Sequence, residues 1–136
     1  MVIVVPDEFV HVNEDGGREA DPGVWFCHIG GVKYHSTISR DAVEASPAWK
    51  PSQPLPLSLD RAVQAAQTLL RRLVRSDSQW ALTDISLQRL RDVRPERWFF
   101  VVGFQRETGK RSLQGIVQIC VDFRGQPGTI TLARTT

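Results

Sequence analysis

Three histidines, two cysteines and one arginine-dense stretch are the groups in this chain whose chemistry could be put to use. His28 and His35, together with His11, are of the type that holds zinc through neutral imidazole nitrogen. If residues 24–38 form a β-hairpin, His28 and His35 sit diagonally on one face, roughly 7–8 Å apart by backbone spacing. Lys33 then lies directly opposite His28, and a neighbouring ammonium disfavours a divalent cation. A solvated polar face is the expectation. The alternative is a metal-dependent or hydrolytic enzyme built on His28 and His35. Cys27 adjoins His28 in sequence, and adjacent strand residues point to opposite faces, so that histidine cannot activate that thiol. Cys120 has no histidine near it in sequence. Both cysteines read as buried structural thiols, with one bridge across the fold as the alternative.

Arg89-Leu-Arg-Asp-Val-Arg-Pro-Glu-Arg97 is the densest polar cluster, and Arg89, Arg91 and Arg94 are its candidate binding residues. With Arg71, Arg72 and Arg75 it could form an anion or nucleic-acid patch, although Asp92 and Glu96 neutralise part of it. Single-strand binding wants exposed aromatic rings beside such arginines, and Trp98, Phe99 and Phe100 read as core instead. Nucleic acid is therefore the weaker reading. Phosphate-loop and dinucleotide-loop patterns and paired carboxylates are absent, so no catalytic residue and no cofactor are implied.

The elements that must position these groups follow from composition and pattern. A chain of 136 residues with 41% hydrophobic and 24% charged residues has the size and balance of one globular domain. Its net charge of +2 conceals an asymmetry: residues 1–23 carry six acids against Arg18, and the remainder carries 16 basic and 9 acidic residues. That beginning is read as an acidic, partly flexible leader with one short strand near Glu8 to Val12, ahead of a single α+β domain over 24–136. No apolar run approaches the ~20 residues that a membrane-spanning helix needs. Met1-Val-Ile-Val-Val5 lacks a basic start, so no intact signal peptide is read, and the expectation is cytoplasmic unless a leader has been removed.

Val24-Trp-Phe-Cys-His-Ile29, Gly30-Gly31 and Val32-Lys-Tyr-His-Ser-Thr-Ile38 spell a hairpin with a two-residue turn. Direct pairing sets Ile29 against Val32, Cys27 against Tyr34 and Trp25 against Ser36 on the apolar face. Residues 46–57 hold four prolines and read as an extended connector containing a PxxP match, Pro51 to Pro54. Ser58 caps a helix over 59–75 whose apolar residues recur at helical spacing, from Leu59 and Ala62 to Leu70 and Leu73. Strands are expected at Trp80 to Leu90, Arg97 to Arg106, Gly115 to Phe123 and Thr129 to Ala133, joined as an antiparallel meander.

The order of helix and strands resembles the PepSY domain and the wider cystatin-like group. The residues that carry the resemblance are Leu57-Ser-Leu-Asp-Arg-Ala62, Trp80-Ala-Leu82, Arg97-Trp98-Phe-Phe-Val101 and Val121-Asp-Phe-Arg-Gly125, so it covers roughly residues 58–132. It implies a non-enzymatic inhibitor, regulator or binding module. The fold expected is one long helix packed on a curved antiparallel sheet of four to six strands, with the hairpin extending the sheet or covering its outer side. Trp98, Phe100, Val102 and Phe104 would face that helix, and Phe99 and Val101 would face away. One helix dries one face, so the other needs a cover from the hairpin, a twin subunit or a partner. Phe99, Val101 and the Trp80 region are accordingly the expected binding surface, for a protein partner or in a homodimer.

Overall fold

The computed structural model describes residues 2–4, 22–74, 79–91, 93–106 and 115–133. In chain order these form β1 (Val2–Val4), β2 (Trp25–Ile29), β3 (Val32–Thr37), α1 (Arg40–Glu44), α2 (Leu59–Leu73), β4 (Trp80–Arg89), β5 (Trp98–Arg106), β6 (Gly115–Asp122) and β7 (Thr129–Leu132). The strand expected near Glu8 to Val12 lies outside the described residues, as does Arg75.

The expected architecture needs correction. Instead of one long helix organising four to six antiparallel strands in a cystatin-like manner, the fold is dominated by a seven-stranded sheet ordered β1-β4-β5-β6-β2-β3-β7. The two helices among the described residues are short, at 5 and 15 residues. β1 joins β4 in parallel, a pairing that three apolar residues at the start of the chain do not announce. The expected meander also stops at β6, because β7 pairs with β3. A turn rich in glycine and proline marks where a chain reverses, but not which strand it will meet.

Sequence chemistry accounts for the elements themselves. The hairpin turns on Gly30 and Gly31, both at positive φ, with Ile29 opposite Val32 and Cys27 opposite Tyr34. Ser58 accepts a hydrogen bond from the Arg61 backbone N–H at 3.2 Å and so caps α2, whose buried stripe is Ala62, Ala66 and Leu70. Two alanines on that stripe let the backbone of α2 approach the sheet closely. The four-proline connector is pinned by Trp49. Its indole N–H donates to the Gln53 carbonyl at 2.9 Å, and its ring stands edge-on to Trp98 and Phe123. Gln53 N–H in turn bonds the Lys50 carbonyl, so Pro51 to Pro54 lies in a tight turn and not in the extended helix that a PxxP ligand requires.

Alternation along β5 divides the core in two. Trp98, Phe100, Val102 and Phe104 join Val117, Ile119 and Val121 of β6 and the stripe of α2. Phe99 and Val101 join a second cluster with Trp25, Ile38, Val43, Leu90 and Cys120. The cover of the second face is thus α1 and its flanks, supplied by the chain itself. α1 is one turn capped by Ser39, whose hydroxyl accepts from Ala42 N–H, and it buries Val43 completely. Five residues are too few to show a helical period, so the pattern of apolar residues could not reveal it.

The free edge of β6 is shared. Its start pairs with β2 at Gly115 and Ile116, whereas Cys120 to Asp122 bond residues 126–128, the lead into β7. β2, β3 and β7 therefore curl round so that the last strand rejoins β6. Gly128 stands at that junction, where any Cβ would strike the Thr37 carbonyl oxygen.

Candidate functional site

The residues singled out for chemistry fall in three places. The first is the gap where the edge of β6 passes from β2 to β7. Here the Cys27 side chain stands in for a missing strand: its Sγ accepts from Gln118 N–H at 3.3 Å and donates to the Gln118 carbonyl at 3.4 Å. Cys120 lies nearby with its Sγ 3.9 Å from the Ser36 hydroxyl. Both cysteines are free thiols and fully buried. Burial pushes the Cys27 thiol up to about 11, against a smaller lowering by the Gln118 backbone. Burial also pushes Cys120 up to about 12, against the lowering effect of Ser36. Thiols held protonated in this way are poor nucleophiles. Cys27 completes a hydrogen-bond ladder, which no sequence spacing signals, and Cys120 packs in the core beside Ser36.

The second place is the hairpin. Its polar face pairs Phe26 with His35 and His28 with Lys33. The Lys33 Nζ sits 4.2 Å from the centre of the Phe26 ring, and His35 meets that ring edge-on at 5.3 Å. An ammonium so placed raises the cost of a cation at His28 or His35. Among the described residues no three histidine, cysteine or acidic side chains converge on a point, and His11 lies outside them. The opposite face is different in kind. Ile29, Val32, Tyr34 and Leu132 share it through the pairs Ile29–Val32 and Tyr34–Leu132. Ile29 and Tyr34 are half-buried against the α2 cluster, but Val32 is 41% exposed and Leu132 63% exposed. α2 covers the centre of this face and leaves its hairpin end open.

The third place is the β4–β5 turn. Glu96 pairs through one oxygen with both Arg89, at 3.6 Å, and Arg94, at 3.5 Å. Arg97 donates to the carbonyls of Pro95 and of Glu44 at the end of α1. The Arg89 guanidinium also lies 6.0 Å from the centre of the Trp98 ring. Arg91 is exposed, and Asp92 lies outside the described residues. Arg71 and Arg72 lie in the last turn of α2, on a different element from this cluster.

Of the expected binding residues, the structure offers some to solvent and withholds others. Phe99 and Val101 are 1% and 2% exposed beneath Trp25, Ile38 and Val43. The face they occupy is covered internally, and the reason for assigning them a partner falls away. Trp80 is half-buried against the α2 cluster. Arg89, Arg91 and Arg94 remain at the surface. Asp122, read only as part of a family-like motif, proves to be a buried organiser of the turn after β6. Its carboxylate accepts from Arg124 N–H at 2.8 Å and Gln126 N–H at 3.0 Å, and pairs with the Arg124 guanidinium at 2.9 Å. An aspartate three residues ahead of a glycine, the first and fourth positions of a tight turn, is the signal that could have located it.

Comparison with protein families, with curated proteins and with solved structures finds no match for this chain. Among the described residues no helix is long and apolar enough to cross a membrane.

Proposed function

We propose that this protein is a small non-catalytic binding module that works by contact with another polypeptide, in the first instance a second copy of itself. The observation that carries this reading is the open hairpin end of the α2 face, where Val32 and Leu132 are exposed beside half-buried Ile29 and Tyr34. Singly scattered exposed apolar residues are ordinary, but Val32 and Leu132 lie on one face of neighbouring strands, and clustered ones mark contact surfaces. A two-fold contact needs only that such a patch meet itself, so that Val32 and Leu132 of both copies are covered together.

Size-exclusion chromatography with light scattering over a range of concentrations tests this, with the Val32→Gln/Leu132→Gln double variant alongside. A mass that rises with concentration in the parent chain and stays monomeric in the variant is expected. A strict monomer throughout would end the proposal.

A further inference from the structure

We infer that the β4–β5 turn is a clamp for the carboxylates of an acidic segment of a protein partner, with Arg89 and Arg94 as its arms and Glu96 setting their separation. The inference goes beyond self-association through the hairpin end and rests on a different element.

Two guanidiniums repel each other and stay together only where something holds them. Here one carboxylate oxygen does so, lying 3.6 Å from Arg89 Nη1 and 3.5 Å from Arg94 Nη1. Each guanidinium has five N–H donors, so one long contact to Glu96 leaves most of them for another acceptor. The two arms differ in freedom. Arg89 is braced against the Trp98 ring, whereas Arg94 is 80% exposed. Arg91 is exposed on the same turn and adds a third cation. Residues 89–97 hold four arginines against Asp92 and Glu96 in sequence, a net charge of +2.

The turn is also held in place, as a preformed site requires. Leu90 N–H bonds the Arg97 carbonyl at 2.8 Å, and Trp49 N–H bonds the Glu96 carbonyl at 3.2 Å. Arg97 spends its donors on the Pro95 and Glu44 carbonyls, tying the turn to α1. Glu96, the residue that sets the clamp, is therefore fixed through its own backbone.

The chemistry selects the ligand. Arginine forks match carboxylates with paired, parallel hydrogen bonds, and two of them side by side suit successive acidic side chains. A single-stranded nucleic acid would bring the same charge through its phosphates, but it would also call for aromatic rings on which to stack its bases. Trp98, Phe99 and Phe100 beside this turn are buried, which leaves no ring there for a base. An acidic polypeptide is the better fit.

Fluorescence anisotropy with a labelled oligoglutamate peptide and the full chain tests the clamp. Saturable binding that weakens with added salt is expected, and Arg89→Gln and Arg94→Gln should each weaken it by about tenfold. Glu96→Gln is the decisive variant, because it raises the net charge while releasing the arms. A held clamp predicts weaker binding, by about threefold or more. Tighter binding would show a diffuse charge effect and overturn the inference. A labelled oligothymidylate of the same charge should bind less well than the peptide, and the reverse order would also overturn it. Binding is expected whatever mass light scattering gives for the chain, which separates this test from that of the hairpin end.

Discussion

Val43 is the residue through which the internal cover of the second sheet face can be tested most directly. It is fully buried in the middle of α1 and packs in one cluster with Trp25, Ile38, Phe99, Val101 and Cys120. Val43→Ala deletes two methyl groups there. At ~0.8 kcal/mol for each buried carbon, the transfer loss is about 1.6 kcal/mol. The space left behind adds to this, because a single short helical turn cannot collapse onto the sheet without dragging Ile38 with it, so about 2–3 kcal/mol is expected. For a chain of this length that corresponds to roughly 6–12 °C in the melting midpoint. Val32→Ala, at concentrations where the chain is monomeric, is the control, since Val32 is 41% exposed at the hairpin tip and its truncation should cost within about 0.5 kcal/mol. Thermal and urea unfolding, followed by tryptophan fluorescence and circular dichroism together, would measure both variants. If Val43→Ala melts within a degree or so of the parent chain, α1 does not seal this face and Phe99 must find its cover elsewhere. A loss at Val32 as large as that at Val43 in the monomer would be equally damaging, because it would mean that the chain itself buries the hairpin tip.

The buried thiols make stability depend on alkaline pH. Because burial raises Cys27 to about 11 and Cys120 to about 12 from an ordinary value of 9.0, the unfolded chain loses its thiol protons first. Their contribution is complete below pH 9 and is lost as the pH climbs through 11 to 12. Urea midpoints should therefore fall over that window, and by less in a Cys120→Ala variant; a thiol reagent such as dithionitrobenzoate should react only at the rate of unfolding at neutral pH. Gly128→Ala tests the closure of β7 onto β6. The added Cβ would meet the Thr37 backbone oxygen, which cannot swing aside, so a loss of about 2–3 kcal/mol is expected by denaturant melt. Gly103→Ala should cost less, because the nearest obstacle there is the tip of the Asp84 side chain.

How much of this molecule could be read from its residues varies with the range of the interaction concerned. The hairpin was legible down to its register, because a Gly-Gly turn admits the positive φ that a two-residue loop needs and the flanking alternation does the rest. The Ser58 cap and the stripe of α2 were legible for the same reason: each is encoded within a few residues. The two-sided character of β5 was plain in Trp98-Phe-Phe-Val-Val-Gly-Phe104, and it correctly called for two covers. What covers the second face was not legible, since α1 is too short for any period and meets Phe99 across more than fifty residues of chain. The candidate site fared likewise. Arg89, Arg91 and Arg94 were visible as a cluster, but the single oxygen of Glu96 that gathers two of them is a matter of turn geometry.

By itself, then, the sequence determined where β2 to β7 and α2 lie, which residues α2 buries, and that cationic side chains would crowd one turn. Those are consequences of backbone preference and side-chain alternation, which act over neighbours. Tertiary structure alone decided that seven strands would join one sheet, that β7 would leave the meander for β3, and that the Cys27 thiol would fill a gap in the ladder. It also decided that Phe99 and Val101 would be sealed within the chain while Val32 and Leu132 stay open. The reason is that pairing and coverage depend on which distant surfaces fit together once the chain has collapsed, and alternation specifies only that a face must be covered, never by what.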